Sequence, residues 1–194
     1  MSISSAPSWL KKAAQGLAFW IGYQRSIYNK RRLPEIAISV ELGKLIQAHL
    51  PKSLDLEYEY QYSKILQRTP STNTTQTKVD LCIKNRTKVS KLFRPKYLIE
   101  IKREPAKKSR VDADLKRLAN AVESRTYLKG YLCFISENKR PERFTNISGF
   151  PKKGSEAIAD TNSKLTVVSV FKAAQYFNDK DKVHYVCLIE VTRA

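Results

Sequence analysis

Histidine is nearly absent from this chain: there are two, His49 and His184, far apart in sequence. A His-based catalytic triad or a His/Cys zinc site therefore has almost nothing to be built from. Cysteine is scarce too. Cys82, Cys133 and Cys187 are odd in number, each sits inside an apolar β-type run, and none is paired at metal-ligand spacing. They read as reduced core cysteines of a cytoplasmic protein. No apolar run reaches the ~18 residues of a membrane span, and no apolar leader ends in a small-residue cleavage site, so a soluble, unexported chain is expected. Negative charge is also in short supply. Eighteen Asp and Glu stand against 36 Lys and Arg, a net charge of +18. A surplus of that size points to a polyanionic partner, nucleic acid first and a membrane surface as its rival. Whatever chemistry the chain performs must use carboxylates and lysine.

The chain does hold enough apolar and aromatic residues, 42% and 10%, to build a core. Its 194 residues suggest one domain with a short element added at an end. Residues 6–30 form a basic, aromatic stretch whose Leu10, Ala13, Ala14 and Leu17 recur at helical steps. A second helix opens near Pro34 and Glu35, carries a stripe of Ile38, Leu42, Leu45 and Ile46, and stops at Pro51. Alternation from Leu54 to Tyr62 predicts a strand, and the polar segment Ser63 to Thr77 a loop. Two apolar strands follow, Lys78 to Lys84 and Lys96 to Arg103. Ser109 and Asp112 then resemble a capping box, ahead of a buried face of Val111, Leu115, Leu118, Ala119 and Val122. Leu128 to Ser136 reads as a strand buried on both sides. Residues 137–163 look like a long loop with one short helix, Leu165 to Phe171 and Val183 to Val191 like strands, and Ala173 to Phe177 like a helix. The expected fold is α/β, a mixed sheet covered by helices.

The chemistry-bearing residues lie on the two apolar strands. A hairpin turning near Ser90 would pair residues whose numbers sum to about 180, placing Asp80 opposite Glu100. Lys102, two residues on, shares the face of Glu100. Two carboxylates of this kind suit a hard divalent cation, with water completing its shell. Glu41 lies between Ile38 and Leu45 on an apolar helix stripe, and either reaches this site or sits at the helix surface in solvent.

The order Glu41, Asp80, then Glu100-Ile101-Lys102 resembles the PD-(D/E)xK superfamily of restriction-endonuclease-like nucleases. Val79 stands where that pattern's proline would be. The resemblance covers residues 33–136, with 33–194 as the whole nuclease domain and 1–32 as a basic helical extension. It implies a Mg²⁺-dependent phosphodiesterase, Mn²⁺ substituting, in which Asp80, Glu100 and the Ile101 carbonyl hold the metal. Lys102 would orient or help deprotonate the attacking water, and Glu41 would assist. DNA is the expected substrate, with a tRNA-cleaving RNase or an inactive nucleic-acid-binding module as alternatives, and cutting of both strands would suit a homodimer.

Lys107, Lys108, Arg110, Lys116 and Arg117 cluster just after the motif and are candidate phosphate contacts, although such a run is more often a solvated face. Asp112 is expected to cap its helix and Asp114 to be solvated. The tyrosines from Tyr58 to Tyr62 are expected to pack on the sheet rather than stack on bases. Lys139, Arg140, Arg143, Lys152 and Lys153 lie on a loop that could grip substrate.

Overall fold

The structure is a computed structural model that describes residues 6–28, 32–66, 77–86, 94–174 and 183–194. In chain order these form α1 (Ser8–Ile27), α2 (Glu35–His49), β1 (Leu54–Gln61), α3 (Tyr62–Leu66), β2 (Lys78–Asn85) and β3 (Pro95–Arg103). They continue with α4 (Lys108–Ser124), β4 (Lys129–Ser136), β5 (Ser155–Ala157), β6 (Ser163–Ala174) and β7 (Val183–Arg193). The protein is α/β, with one seven-stranded mixed sheet in the order β1-β2-β3-β4-β7-β6-β5. Strands β1, β2 and β3 form an antiparallel meander, β3 and β4 run parallel with α4 as their crossover, and β7, β6 and β5 add antiparallel strands.

Alternating side chains along the strands divide the core between two faces. Leu81, Ile83, Ile99, Ile101, Tyr131 and Cys133 pack against α1 and α2. Cys82, Leu98, Leu132, Phe134 and Cys187 pack on the other face with α3 and α4. All three cysteines are free and buried, as apolar fillers of this sheet. β4 lies inside the sheet with helices over both faces, which is why its apolar run is nearly unbroken. β1 is an edge strand and keeps the polar-apolar alternation of a half-exposed one.

The N-terminal helix is not an appendage. Leu10, Ala13, Ala14, Leu17 and Ile21 are buried in the same cluster as the strands, and α1 packs against α2, β6 and β7. Other local expectations shift for identifiable reasons. α4 starts at Lys108 with Lys107 at the cap position and no side-chain cap, which puts Ser109 inside the first turn, and Asp112 pairs with Arg143, 2.6 Å away. Residues 173–174 continue β6, paired with His184 and Val183, so that part of the expected Ala173 to Phe177 helix is strand. The expected loop after β1 begins with the short helix α3. Residues 137–163 hold a β-bridge between Thr145 and Pro151 and the strand β5, with no helix. The turn near Ser90 lies outside the described residues.

Candidate active site: an acidic pair beside a tethered lysine

β2 and β3 pair as Leu81 with Ile99, Cys82 with Leu98 and Ile83 with Tyr97, a register whose next step sets Asp80 beside Glu100. At this open end of the hairpin the ladder stops. The Ile101 N–H donates to Asp80 Oδ2 at 2.6 Å, so a side-chain carboxylate takes a backbone donor at the frayed end. The two acids sit near enough at this end of the hairpin for the charge of Asp80 to act on the Glu100 carboxyl. Neighbouring carboxylates repel one another unless a proton or a cation relieves them.

Glu100 is only 3% exposed. Its Oε1 accepts from the Tyr62 hydroxyl at 2.8 Å and lies 3.6 Å from Arg117 Nε. Burial first, then the charges of Asp80 and Asp114, push its carboxyl up to about 8, against the pull of Tyr62 and Arg117. Asp80 is raised as well, by burial foremost, with the Ile101 N–H and Glu100 opposing. Lys102 Nζ sits 3.1 Å from Asp114 Oδ2 and 3.5 Å from Glu35 Oε1. Burial works against its ammonium, yet Asp114 and Glu35 outweigh that and hold its pKa above the ordinary lysine value.

Asp114 is the residue that sequence reasoning misplaced. It is 3% exposed rather than solvated, and is clamped between Lys102 and Arg117. Its position was legible in principle: it follows Val111 by three and precedes Leu118 by four, on the buried stripe of α4. Glu35 and Tyr62 were likewise not anticipated at the site. Of the α2 carboxylates, Glu35 reaches Lys102, and its Oε2 accepts from the Arg103 N–H at 3.3 Å. Glu41 is not brought to the cluster; its Oε2 faces Lys44 at 3.8 Å, one helical turn along. The tyrosines separate too, since Tyr58 faces α2 while Tyr62 leaves the strand for α3.

Beside Asp80 opens a cleft of about 580 Å³ lined by Glu35, Ile36, Ser39, Val40, Tyr58 and Ile101. Ile36, Val40 and Tyr58 are exposed there, a wall of apolar surface next to the acid pair. Of the basic cluster, Lys107, Lys108 and Arg110 are exposed at the start of α4, Lys116 pairs with Asp160 at 2.9 Å, and Arg117 alone turns inward.

Asp80 and Glu100 fit a Mg²⁺ held by two carboxylates with water as the remaining ligands. Asp80, Glu100, Asp114 and Glu35 outnumber Lys102 and Arg117, so the cluster has acid to spare for a cation. Among the described residues no group of three or more His, Cys, Asp or Glu is placed to hold a metal. No described helix is long and apolar enough to cross a membrane. Compared with known proteins, the chain matches no family model, no curated protein and no solved structure.

Proposed function

We propose that the chain is a Mg²⁺-dependent endonuclease of restriction-endonuclease-like architecture, acting on nucleic acid and on DNA in the first instance. The supporting observation is the strand register that sets Asp80 beside Glu100 near the charge of Lys102, at the open end of a hairpin and next to a cleft. A protein with +18 net charge that assembles its acids at one point is concentrating ligands for a cation where a phosphate would arrive. Mg²⁺ bound there would supply Lewis acidity and an acidified water.

The chain's own residues set the rest. Tyr62 and Arg117 fix the Glu100 carboxylate in one orientation. Asp114 and Glu35 keep Lys102 an ammonium ion, which suits it to steadying negative charge on phosphorus and not to removing a proton. Glu35 takes the place on α2 that Glu41 was expected to fill. The exposed cations at the start of α4 face solvent, where phosphates can reach them.

A second reading has a specific observation behind it. Arg117 and Lys102 already neutralise Glu100 and Asp114 internally, as an ion network that only braces a nucleic-acid-binding module would do. One assay separates the readings. Plasmid DNA, single-stranded DNA and total tRNA are incubated with Mg²⁺, Mn²⁺ or EDTA, alongside Asp80→Asn and Lys102→Ala. The nuclease reading expects metal-dependent cutting that each variant lowers by at least about 100-fold. Full activity in either variant sinks the site, and binding without cutting selects the module. A preference for tRNA identifies an RNase.

A further inference from the structure

The loop following β4 builds an apolar point and surrounds it with cations. Thr145 and Pro151 form a bridge at its base, and buried Phe144 packs on Phe134 with ring centroids 5.0 Å apart. Within the loop, Asn146 Oδ1 accepts from the N–H groups of Ser148 and Phe150, both at 3.0 Å. The Asn146 N–H returns to the Phe150 carbonyl at 2.9 Å, and Gly149 turns the chain at a φ of +72. A side chain at Gly149 would be strained by that φ and would meet the Tyr185 ring at 3.1 Å. So many internal bonds hold the loop in one shape.

That shape sends Ile147 out to 89% exposure and leaves Phe150 at 58%. A braced loop that displays isoleucine in water has not collapsed for want of an alternative, because its own neighbours Phe144 and Thr145 are buried. The charges around it identify the ligand. Lys172 Nζ stands 4.5 Å from the centre of the Phe150 ring and donates to the Ser148 carbonyl at 3.2 Å. Arg140 donates to the Asn146 carbonyl at 3.0 Å, and Lys152 and Lys153 follow the loop, both exposed. Glu142 lies 3.4 Å from Arg140, and Glu104 and Glu156 line the adjoining groove with it. Apolar tips ringed by cations are suited to a polyanion that also has apolar faces to be entered, which nucleic acid has between its bases.

Position agrees with charge. A groove of about 400 Å³ runs from Glu104 and Lys108 to Arg140 and Arg143, floored by Phe134. Phe134 pairs with Lys102 in the β3–β4 register, and Arg140 joins the groove to the loop through the Asn146 carbonyl.

We propose that the 144–151 loop is a wedge that opens one base step of the bound nucleic acid, with Ile147 entering the stack and Phe150 against its edge. This rests on nucleic acid being the ligand, as in the function proposed above. The test uses the full chain in EDTA with duplex oligonucleotides carrying 2-aminopurine, whose fluorescence rises on unstacking. The wild type is expected to bind and raise the signal several-fold. Ile147→Ser/Phe150→Ser, both at exposed positions and so folding normally by circular dichroism, is expected to lose the rise and bind about tenfold more weakly. Equal affinity and an equal signal in the variant overturn the wedge. Failure of the wild type to bind any nucleic acid overturns the functional reading beneath it instead. A parallel titration with phosphatidylserine vesicles covers the other polyanion; capture of vesicles that the double variant loses, with DNA binding unchanged, assigns the loop to a membrane surface and also overturns the wedge.

Discussion

Asp114 and His184 are both buried ionisable side chains, and their surroundings treat them oppositely. Asp114 meets two cations, so its charge is compensated where it sits. His184 lies wholly buried on β7, and neither ring nitrogen has a hydrogen-bond partner. Burial first, and then the charge of Arg25, bring its pKa from 6.5 down to about 4. The unfolded chain therefore takes up a proton below about pH 6.5 that the folded one refuses. The stability tied to this residue is complete above that value and falls as pH drops towards about 4, by about 1.4 kcal/mol per unit across the window. Glu100, raised to about 8, works in the opposite sense over the same range, so from about pH 7 to about pH 5.5 the wild-type urea midpoint is expected to fall relative to that of His184→Leu. An identical slope in the variant would place the titration elsewhere. Neither fate is visible in a sequence, because a residue's partners come from other elements.

At the scale of elements, α1 shows how a correct local reading can miss a role. Its helical stripe was legible from Leu10, Ala13, Ala14 and Leu17, yet the family resemblance, which begins at residue 33, left it as an extension. The helix is in fact seated on β6 and β7, with Gly22 set close against the end of β6. A methyl group at Gly22 would stand 2.9 Å from the Ala174 carbonyl oxygen, a backbone atom that cannot turn aside. At Gly16 the same methyl meets only the Leu45 side chain at 3.1 Å, which can rotate. Gly22→Ala is thus expected to cost about 1–2 kcal/mol and lower the Tm by several degrees, since overpacking outweighs the gain in helix propensity. Gly16→Ala should leave the Tm equal or higher, and equal losses in the two variants would mean α1 is not seated by Gly22.

For the whole molecule, charge is the dominant property. With +18 net charge, binding to any nucleic acid should weaken steeply with salt. The logarithm of affinity against the logarithm of salt concentration should be linear, with a slope near −0.9 for each phosphate neutralised. Lys152→Gln/Lys153→Gln should make that slope shallower by about 1–2 if both lysines touch phosphate. Salt titration by fluorescence anisotropy measures it directly, and an unchanged slope would remove both from the interface.

The sequence by itself determined the α/β character and the strand register that sets Asp80 against Glu100. Periodicity and a two-residue alternation are local rules that survive into any packed sheet. It also showed how few histidines and cysteines the chain has, two and three. Only the tertiary structure decided which charges meet. Asp114 comes from the face of α4, Tyr62 from a turn of helix after β1, and Glu35 from the start of α2. The same packing left Glu41 a helical turn away beside Lys44. Such choices depend on how helices are laid across a sheet, and a partner supplied by another element leaves no spacing in the chain to read.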